Sequence, residues 1–382
     1  MIFLAPLKNT LVRLLLRTWV FEWWLRRKVR KIEIAYACAL VRSAANPPAP
    51  EGPPPRRNSQ PLRRLLFISD IMWESRELVP EVAKITAVQT LDLNPHLKQS
   101  PPVAAAQIVA RVVGDFVRAH SGPEPDAIFL YARSSLLSEE VFALLRRRWS
   151  CPLLGMNLDD KLEFANYGIF TGASDNYGHW ARRFDLNLSN VRAVVDWYAE
   201  RGLPVMYLPE GFHPKFTAPP ASISEFQREV AFVGSRRTER AVFFRQLSRL
   251  GVRIEPFGFG WPNSASGKNP EVIYRTSAMN LGIGFAAPSQ TLTTLKTRDF
   301  ECPGAGACYL TTYNWELALH YELGKEILCY RSLEELVEMY SFYRKRPEAC
   351  LQIAQAGFQR ANAEHTWEQR FRKVFRAAGF DI

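Results

Sequence analysis

From Leu65 onward the chain alternates between short apolar runs and longer stretches of helical spacing, and few folds accept that order. The first run, Leu65 to Ser69, is LLFIS; a helical stretch from Val103 to Ala119 leads to a second run, Ala127 to Tyr131. The helix Ser138 to Arg148 and a third run around Leu153 to Asn157 follow. Continuous apolar runs are the mark of strands buried on both faces, and strands separated by helices lie parallel in an open sheet. Asp70 to Pro80 reads as a polar loop at the carboxyl end of the first strand, where ligand loops of such sheets belong. A short strand around Asp185 to Leu188, a helix from Asn190 to Arg201 and a strand Val205 to Leu208 extend the series. Pro209 to Pro214 then makes a rigid turn, and the polar, Pro-containing stretch Thr217 to Ser224 predicts a hinge between domains.

Beyond the hinge the theme returns. Val230 to Val233 is an apolar strand that ends in Gly234, Ser235, Arg236 and Arg237, before a helix through Arg240 and Leu247. Further strands are predicted at Val252 to Phe257 and Met279 to Ile283, and closing helices at Leu333 to Arg344, Pro347 to Glu364 and Thr366 to Ala378. A chain of 382 residues suits two such domains plus an extension.

The formal charge of +11 would suggest a nucleic-acid partner if it were spread over the folded body, but it is not. Residues 1–64 hold 13 of the 49 Lys and Arg and 3 of the 38 Asp and Glu, so 36 cations face 35 anions in the remainder. That balance disfavours nucleic acid. Nine of those 13 cations belong to an N-terminal extension, 1–43, in which Leu7, Leu11, Leu14 and Leu15 recur at helical spacing ahead of Trp19, Trp23 and Trp24. Arg26, Arg27, Lys28, Arg30 and Lys31 follow as a cluster. Such a helix can lie in the interface of an anionic membrane, or pack on the body or on a partner subunit. A Pro-rich linker, 44–63, separates it from the body.

No uncharged apolar run approaches the roughly 20 residues of a membrane-spanning helix. The N-terminus lacks a signal-peptide pattern, since Arg13, Arg17 and Glu22 interrupt its apolar residues. The six cysteines form no CxxC pair and no zinc spacing, and are read as reduced core thiols of a cytosolic protein.

The segment Thr294 to Thr312, TLKTRDFECPGAGACYLTT, reads as a short helix from Thr294 to Phe300, stopped at Pro303 and Gly304, running into a strand from Ala307. Lys296 and Arg298 stand near that start, where unpaired backbone N–H groups and the helix dipole favour an anion. Glu301, one turn on, suits a ribose hydroxyl, so the pattern suggests a nucleotide. The alternative is a plain helix, its stop signal and a core strand. The turn Gly234, Ser235, Arg236 is a second place where backbone and guanidinium can meet a phosphate.

FVGSRRTER at 232–240, LKTRDFECPGAGACYLTT at 295–312, ELGKEILCYRSLEELVEMYSFY at 322–343 and AGFQRANAEHTWEQR at 356–370 resemble the CgeB-like glycosyltransferases. These are nucleotide-sugar enzymes of the GT-B fold, an α/β architecture of two Rossmann-like domains facing a cleft. The resemblance covers about 229–376 and more loosely 65–212. It implies an N-terminal acceptor domain over 64–215, a donor domain over 225–365 and a C-terminal helix, 366–382, that crosses back.

The resemblance further implies a donor set of Gly234, Ser235, Arg236, Arg240, Lys296, Arg298, Glu301 and Gly304. The basic members would hold the diphosphate and Glu301 the ribose. It implies no metal and no cofactor, the nucleotide-sugar being a substrate, and an acceptor that is a glycan, a lipid-linked sugar or another hydroxyl compound. Many retaining relatives carry a second glutamate eight residues before the ribose-binding one; here that position is Thr293. If the reaction inverts, a base is expected in the N-terminal domain, with Asp159, Asp160 and His179 as candidates. A nucleotide-sugar epimerase and a non-catalytic, membrane-tethered scaffold are the alternatives on the same fold.

Overall fold

The computed structural model describes residues 60–70, 72–97, 104–158, 177–263, 269–285 and 293–382, together with Arg30, Glu33, Ile34, Ala37 and Cys38, which are helical. Most of the expected extension and linker, including the basic amphipathic helix of residues 1–31, therefore lies outside the described residues.

In the first half, β1 (Gln60–Pro61) precedes β2 (Arg64–Ser69), α1 (Met72–Val82), β3 (Ala87–Asp92), α2 (Ala105–Ala119) and β4 (Ala127–Tyr131). Then come α3 (Glu139–Arg148), β5 (Leu153–Asn157), β6 (Leu186–Ser189), α4 (Arg192–Ala199) and β7 (Val205–Tyr207). Six of these strands form one parallel sheet in the order β3-β2-β4-β5-β6-β7.

The side chains of β2 show why it is apolar throughout. Leu66 and Ile68 enter a core with Val109, Val113 and Phe142 of α2 and α3, while Leu65 and Phe67 enter the opposite core. Successive residues of a strand point to opposite faces, so a strand covered on both sides must be apolar at every position.

The second half contains β8 (Arg228–Val233), α5 (Thr238–Arg249), β9 (Glu255–Phe257), α6 (Pro270–Arg275), β10 (Ser277–Leu281), α7 (Arg298–Gly304) and β11 (Tyr309–Thr312). It continues with β12 (Leu328–Tyr330), α8 (Leu333–Tyr343), α9 (Pro347–Glu364), α10 (Trp367–Ala377) and β13 (Phe380–Asp381). Its sheet is also parallel, in the order β12-β11-β10-β8-β9. Each sheet starts at an inner strand, adds the next strand on one side and then reverses. The reversals fall between β2 and β4 and between β8 and β10, and outside the carboxyl ends of strands at such points α/β sheets hold ligands.

Helix α10 belongs by sequence to the second half and by packing to the first. Its Phe371, Val374 and Phe375 share a core with Phe67, Phe129 and Leu154, and the Phe371 ring meets Phe129 edge-on at 5.1 Å. Thr366 and Gln369 close a capping box at its start, and the Trp367 N–H donates to the Phe212 carbonyl at 3.0 Å, which fixes the helix to the turn from Pro209 to Pro214.

Four local expectations change. Asp70 to Pro80 is largely helix rather than loop: Leu78 and Val82, one turn apart, bury against the α10 face, and that packing outweighs the backbone hydrogen bond that Pro80 cannot donate. Strand β3, AVQTLD, was not foreseen because it is a partly exposed edge strand with no apolar run. Gln60 and Pro61, assigned to the linker, pair with Phe380 and Asp381 as a two-stranded sheet. Helix α7 starts at Arg298, four residues later than expected, and Pro303 sits within its last turn. The six cysteines are all free thiols. Among the described residues no helix is long and apolar enough to cross a membrane.

Candidate functional site

The reversal point of the second sheet collects most of the expected donor residues. Strand β8 ends at Val233, and Gly234, Ser235 and Arg236 lead into α5. Three hydrogen bonds join this turn to the one after β9. Gly234 N donates to Phe257 O at 2.8 Å, Arg236 N to Phe259 O at 2.7 Å, and Trp261 Nε1 to Gly234 O at 2.9 Å. Gly258 has φ +120°, and a Cβ there would lie 2.6 Å from the Gly234 carbonyl oxygen, so only glycine allows the two turns to touch.

Arg240, in the first turn of α5, folds back: its Nη1 donates to Ser235 O at 2.9 Å and its guanidinium lies 5.4 Å from the Phe232 ring centre. Burial pushes its pKa down to about 10, and the neighbouring cations Arg298 and Arg237 push the same way. Arg298 opens α7, after β10, so the two arginines come from either side of the reversal, and the charge of Arg298 is felt at Arg240. The Nε of Arg298 is buried without a hydrogen-bond partner, and among the described residues neither Arg240 nor Arg298 forms an ion pair. Burial opposes the charge of Arg298 itself, yet its pKa is raised, because the fields of Tyr309, Tyr274 and Glu301 favour that charge.

The rest of the expected set divides. Arg236 is exposed, its guanidinium 5.8 Å from the Trp261 ring centre. Lys296 turns back along the chain, donating from Nζ to Thr294 Oγ1 at 2.8 Å and from its backbone N to Asp299 Oδ2 at 2.7 Å. Asp299 is buried, which lifts its carboxyl to about 6 against the pull of that N–H and of Arg298. Glu301 borders a small cavity of about 10 Å³ with Glu77, His213, Lys215 and Glu271. Burial raises its carboxyl to about 8, Glu77 adding to the shift and Arg298 opposing it. Gly304 packs on the Phe212 ring, which leaves no room for a Cβ.

Of the candidate bases, Asp159 and Asp160 lie outside the described residues, and His179 is an exposed residue of the short helix Tyr177–Trp180, edge-on to the Trp180 ring at 4.7 Å. At the reversal point of the first sheet stands a pair that the sequence reading passed over. Asp70 is buried at the end of β2 and accepts from Arg133 N at 2.9 Å and Arg133 Nε at 2.5 Å, just beyond β4.

Also unforeseen is a buried polar tie between the halves. The Glu316 carboxylate accepts from Tyr207 Oη at 2.8 Å and from Arg192 N at 3.3 Å, and Tyr207 Oη lies 3.2 Å from His320 Nε2. Arg370 donates to His365 Nδ1 at 3.1 Å, so Nε2 of that ring carries the proton donated to His320 O. Burial and the Arg370 charge hold His365 neutral, with its pKa pushed down to about 3. A pairing between positions more than a hundred residues apart leaves no local mark in a sequence.

Residues 236–376 match the model of a glycosyl transferase-like family. Among solved structures, sucrose-phosphate synthase from Thermosynechococcus elongatus is similar with a TM-score of 0.53 at 13% identity, over 82% of this chain and 100% of that one. HepE of Anabaena, in complex with UDP and glucose, is similar with a TM-score of 0.50 at 12% identity, over 82% and 98%. No curated protein matches the chain in sequence. The architecture is therefore GT-B, two Rossmann-like halves. The matched span, which starts at Arg236 and includes Arg240, Arg298 and Glu301, marks a glycosyltransferase-like enzyme.

Proposed function

We propose that this enzyme transfers a sugar from a nucleotide-sugar donor to a hydroxyl acceptor, as a CgeB-like member of the GT-B glycosyltransferases. The observation that carries the reading is that Arg240 and Arg298 flank the reversal point between β8 and β10, each sensing the site's charge, and that neither forms an ion pair among the described residues. A diphosphate suits such a pair, since guanidiniums bind phosphate oxygens in a fixed fork. In transfer the bond from the anomeric carbon to the diphosphate oxygen breaks, and negative charge grows on the leaving group. Cations already in place stabilise that charge without a metal ion. Glu301 then accepts from the ribose hydroxyls. If the reaction inverts, Asp159, Asp160 or His179 takes the acceptor proton.

The donor class is tested by thermal unfolding with UDP-, GDP- and dTDP-sugars. A ligand at 100 times its dissociation constant adds about 2.7 kcal/mol of stability. No response to any of them would end the reading. Product analysis with donor alone separates transfer from epimerisation.

The acceptor is proposed to be a glycan or lipid-linked sugar at the cytoplasmic face of a membrane, reached through residues 1–31. Leu and Trp supply apolar area there, and each Lys or Arg near an anionic surface contributes about 1 kcal/mol. The full chain is expected to float with anionic liposomes at low salt, and a chain beginning at Pro61 to stay behind. Equal flotation of the two removes the membrane role.

A further inference from the structure

The turn after β9 carries two aromatic residues with opposite fates. Trp261 is turned inward, stacked on Phe244 at 5.3 Å between ring centres. Phe259 is 87% exposed, more than any other large apolar side chain among the described residues. An exposed phenylalanine gains nothing for folding, and in a mobile loop it would call for no explanation. This one is held. Gly258 and Gly260, both at positive φ (+120° and +86°), flank it, its carbonyl accepts from Arg236 N at 2.7 Å, and Trp261 N donates to Gly258 O at 3.1 Å. The ring is thus displayed from a turn hydrogen-bonded to the one that carries Arg236 and Arg240.

We propose that Phe259 is the stacking platform for the donor's nucleobase. The inference rests on the reading of Arg240 and Arg298 as the diphosphate site. A nucleoside diphosphate places its base one ribose away from its phosphates, and Phe259 offers an exposed π-face on a turn whose backbone is hydrogen-bonded to that of Arg236. Stacking tolerates any base, because every base has a π-face. Phe259 would therefore add affinity for nucleotides without choosing among UDP, GDP and dTDP.

The test is calorimetric titration of wild type, Phe259→Ala and Phe259→Trp with UDP, GDP, dTDP and inorganic pyrophosphate. The expected result is a loss of about tenfold in affinity for the nucleotides in Phe259→Ala. Phe259→Trp should retain binding, with its added indole fluorescence changing on nucleotide addition, and pyrophosphate should bind all three proteins equally. If the wild type binds nucleotide and Phe259→Ala binds it as tightly, the platform is refuted while the donor site stands. If pyrophosphate binding falls together with nucleotide binding, Phe259 acts through the shape of the turn, and the platform is again refuted. If the wild type binds neither nucleotide nor pyrophosphate, the donor site fails and the platform with it.

Discussion

Both sheets reverse direction beside their first strand, and both present an arginine there, but the two arginines are in different electrostatic states. At the first sheet Arg133 is paired, held by the buried carboxylate of Asp70 through backbone and side chain. At the second, Arg298 keeps a buried Nε without a partner, and the pKa of Arg240 is lowered by burial and by the charge of Arg298. A cation neutralised within the fold serves structure. Arginines with no ion pair of their own are free to take an anion, which is the role proposed for the second sheet.

If that contrast is right, substitutions at the two ends should separate into binding effects and stability effects. The largest expected effect is on donor affinity. Arg298→Ala should weaken nucleotide-sugar binding by roughly ten- to a hundredfold, the equivalent of about 1.5–3 kcal/mol for a lost charge-assisted hydrogen bond. Its melting temperature should shift little, because relief of the repulsion at Arg240 offsets the lost attraction to Tyr309 and Glu301. Titration calorimetry and a thermal melt of the same sample decide this, and a protein that melts early with unchanged affinity would erase the contrast. Asp70→Ala should behave in the opposite way, losing about 1–3 kcal/mol of stability in urea unfolding while the folded protein keeps its donor affinity. A drop in affinity comparable to that of Arg298→Ala would mean that the first sheet also takes part in donor binding.

A smaller effect sharpens the picture at Glu301. Its folded-state pKa, raised to about 8, lies above the value of about 4.3 expected in the unfolded chain. Between these values the folded state binds the extra proton, so this group's contribution to stability falls as pH rises from about 4.3 and levels off beyond 8. Glu301→Gln should flatten that part of the stability profile between pH 5 and 8. A profile identical to wild type would place the carboxyl in a more open setting than that small cavity.

The two parallel sheets were legible because strands such as LLFIS and AIFLY are buried on both faces and cannot hide their composition. Strand β3 was not, since an exposed edge has no need of an apolar run. Helix α1 was masked by Pro80, which locally argues for a loop and is overruled by contacts with α10, nearly three hundred residues away. At the site, Arg240 and Arg298 could each be named from their local setting near a helix start. That they flank one reversal point, and that neither forms an ion pair among the described residues, depends on which strands the sheet places side by side. The pairing of Asp70 with Arg133 depends on the same thing, and so does the presence of Glu77 beside Glu301.

The central claim is that unpaired guanidiniums at the end of the second sheet bind the diphosphate of a nucleotide. Comparing UDP with uridine, and GDP with guanosine, by calorimetry on wild type and on the Arg240→Ala, Arg298→Ala double variant tests it most directly. The account predicts that wild type binds at least one diphosphate more than tenfold tighter than its nucleoside, that this preference weakens as salt rises, and that the double variant loses it. Equal affinity for nucleoside and diphosphate in the wild type, or a preference that survives in the double variant, would contradict it.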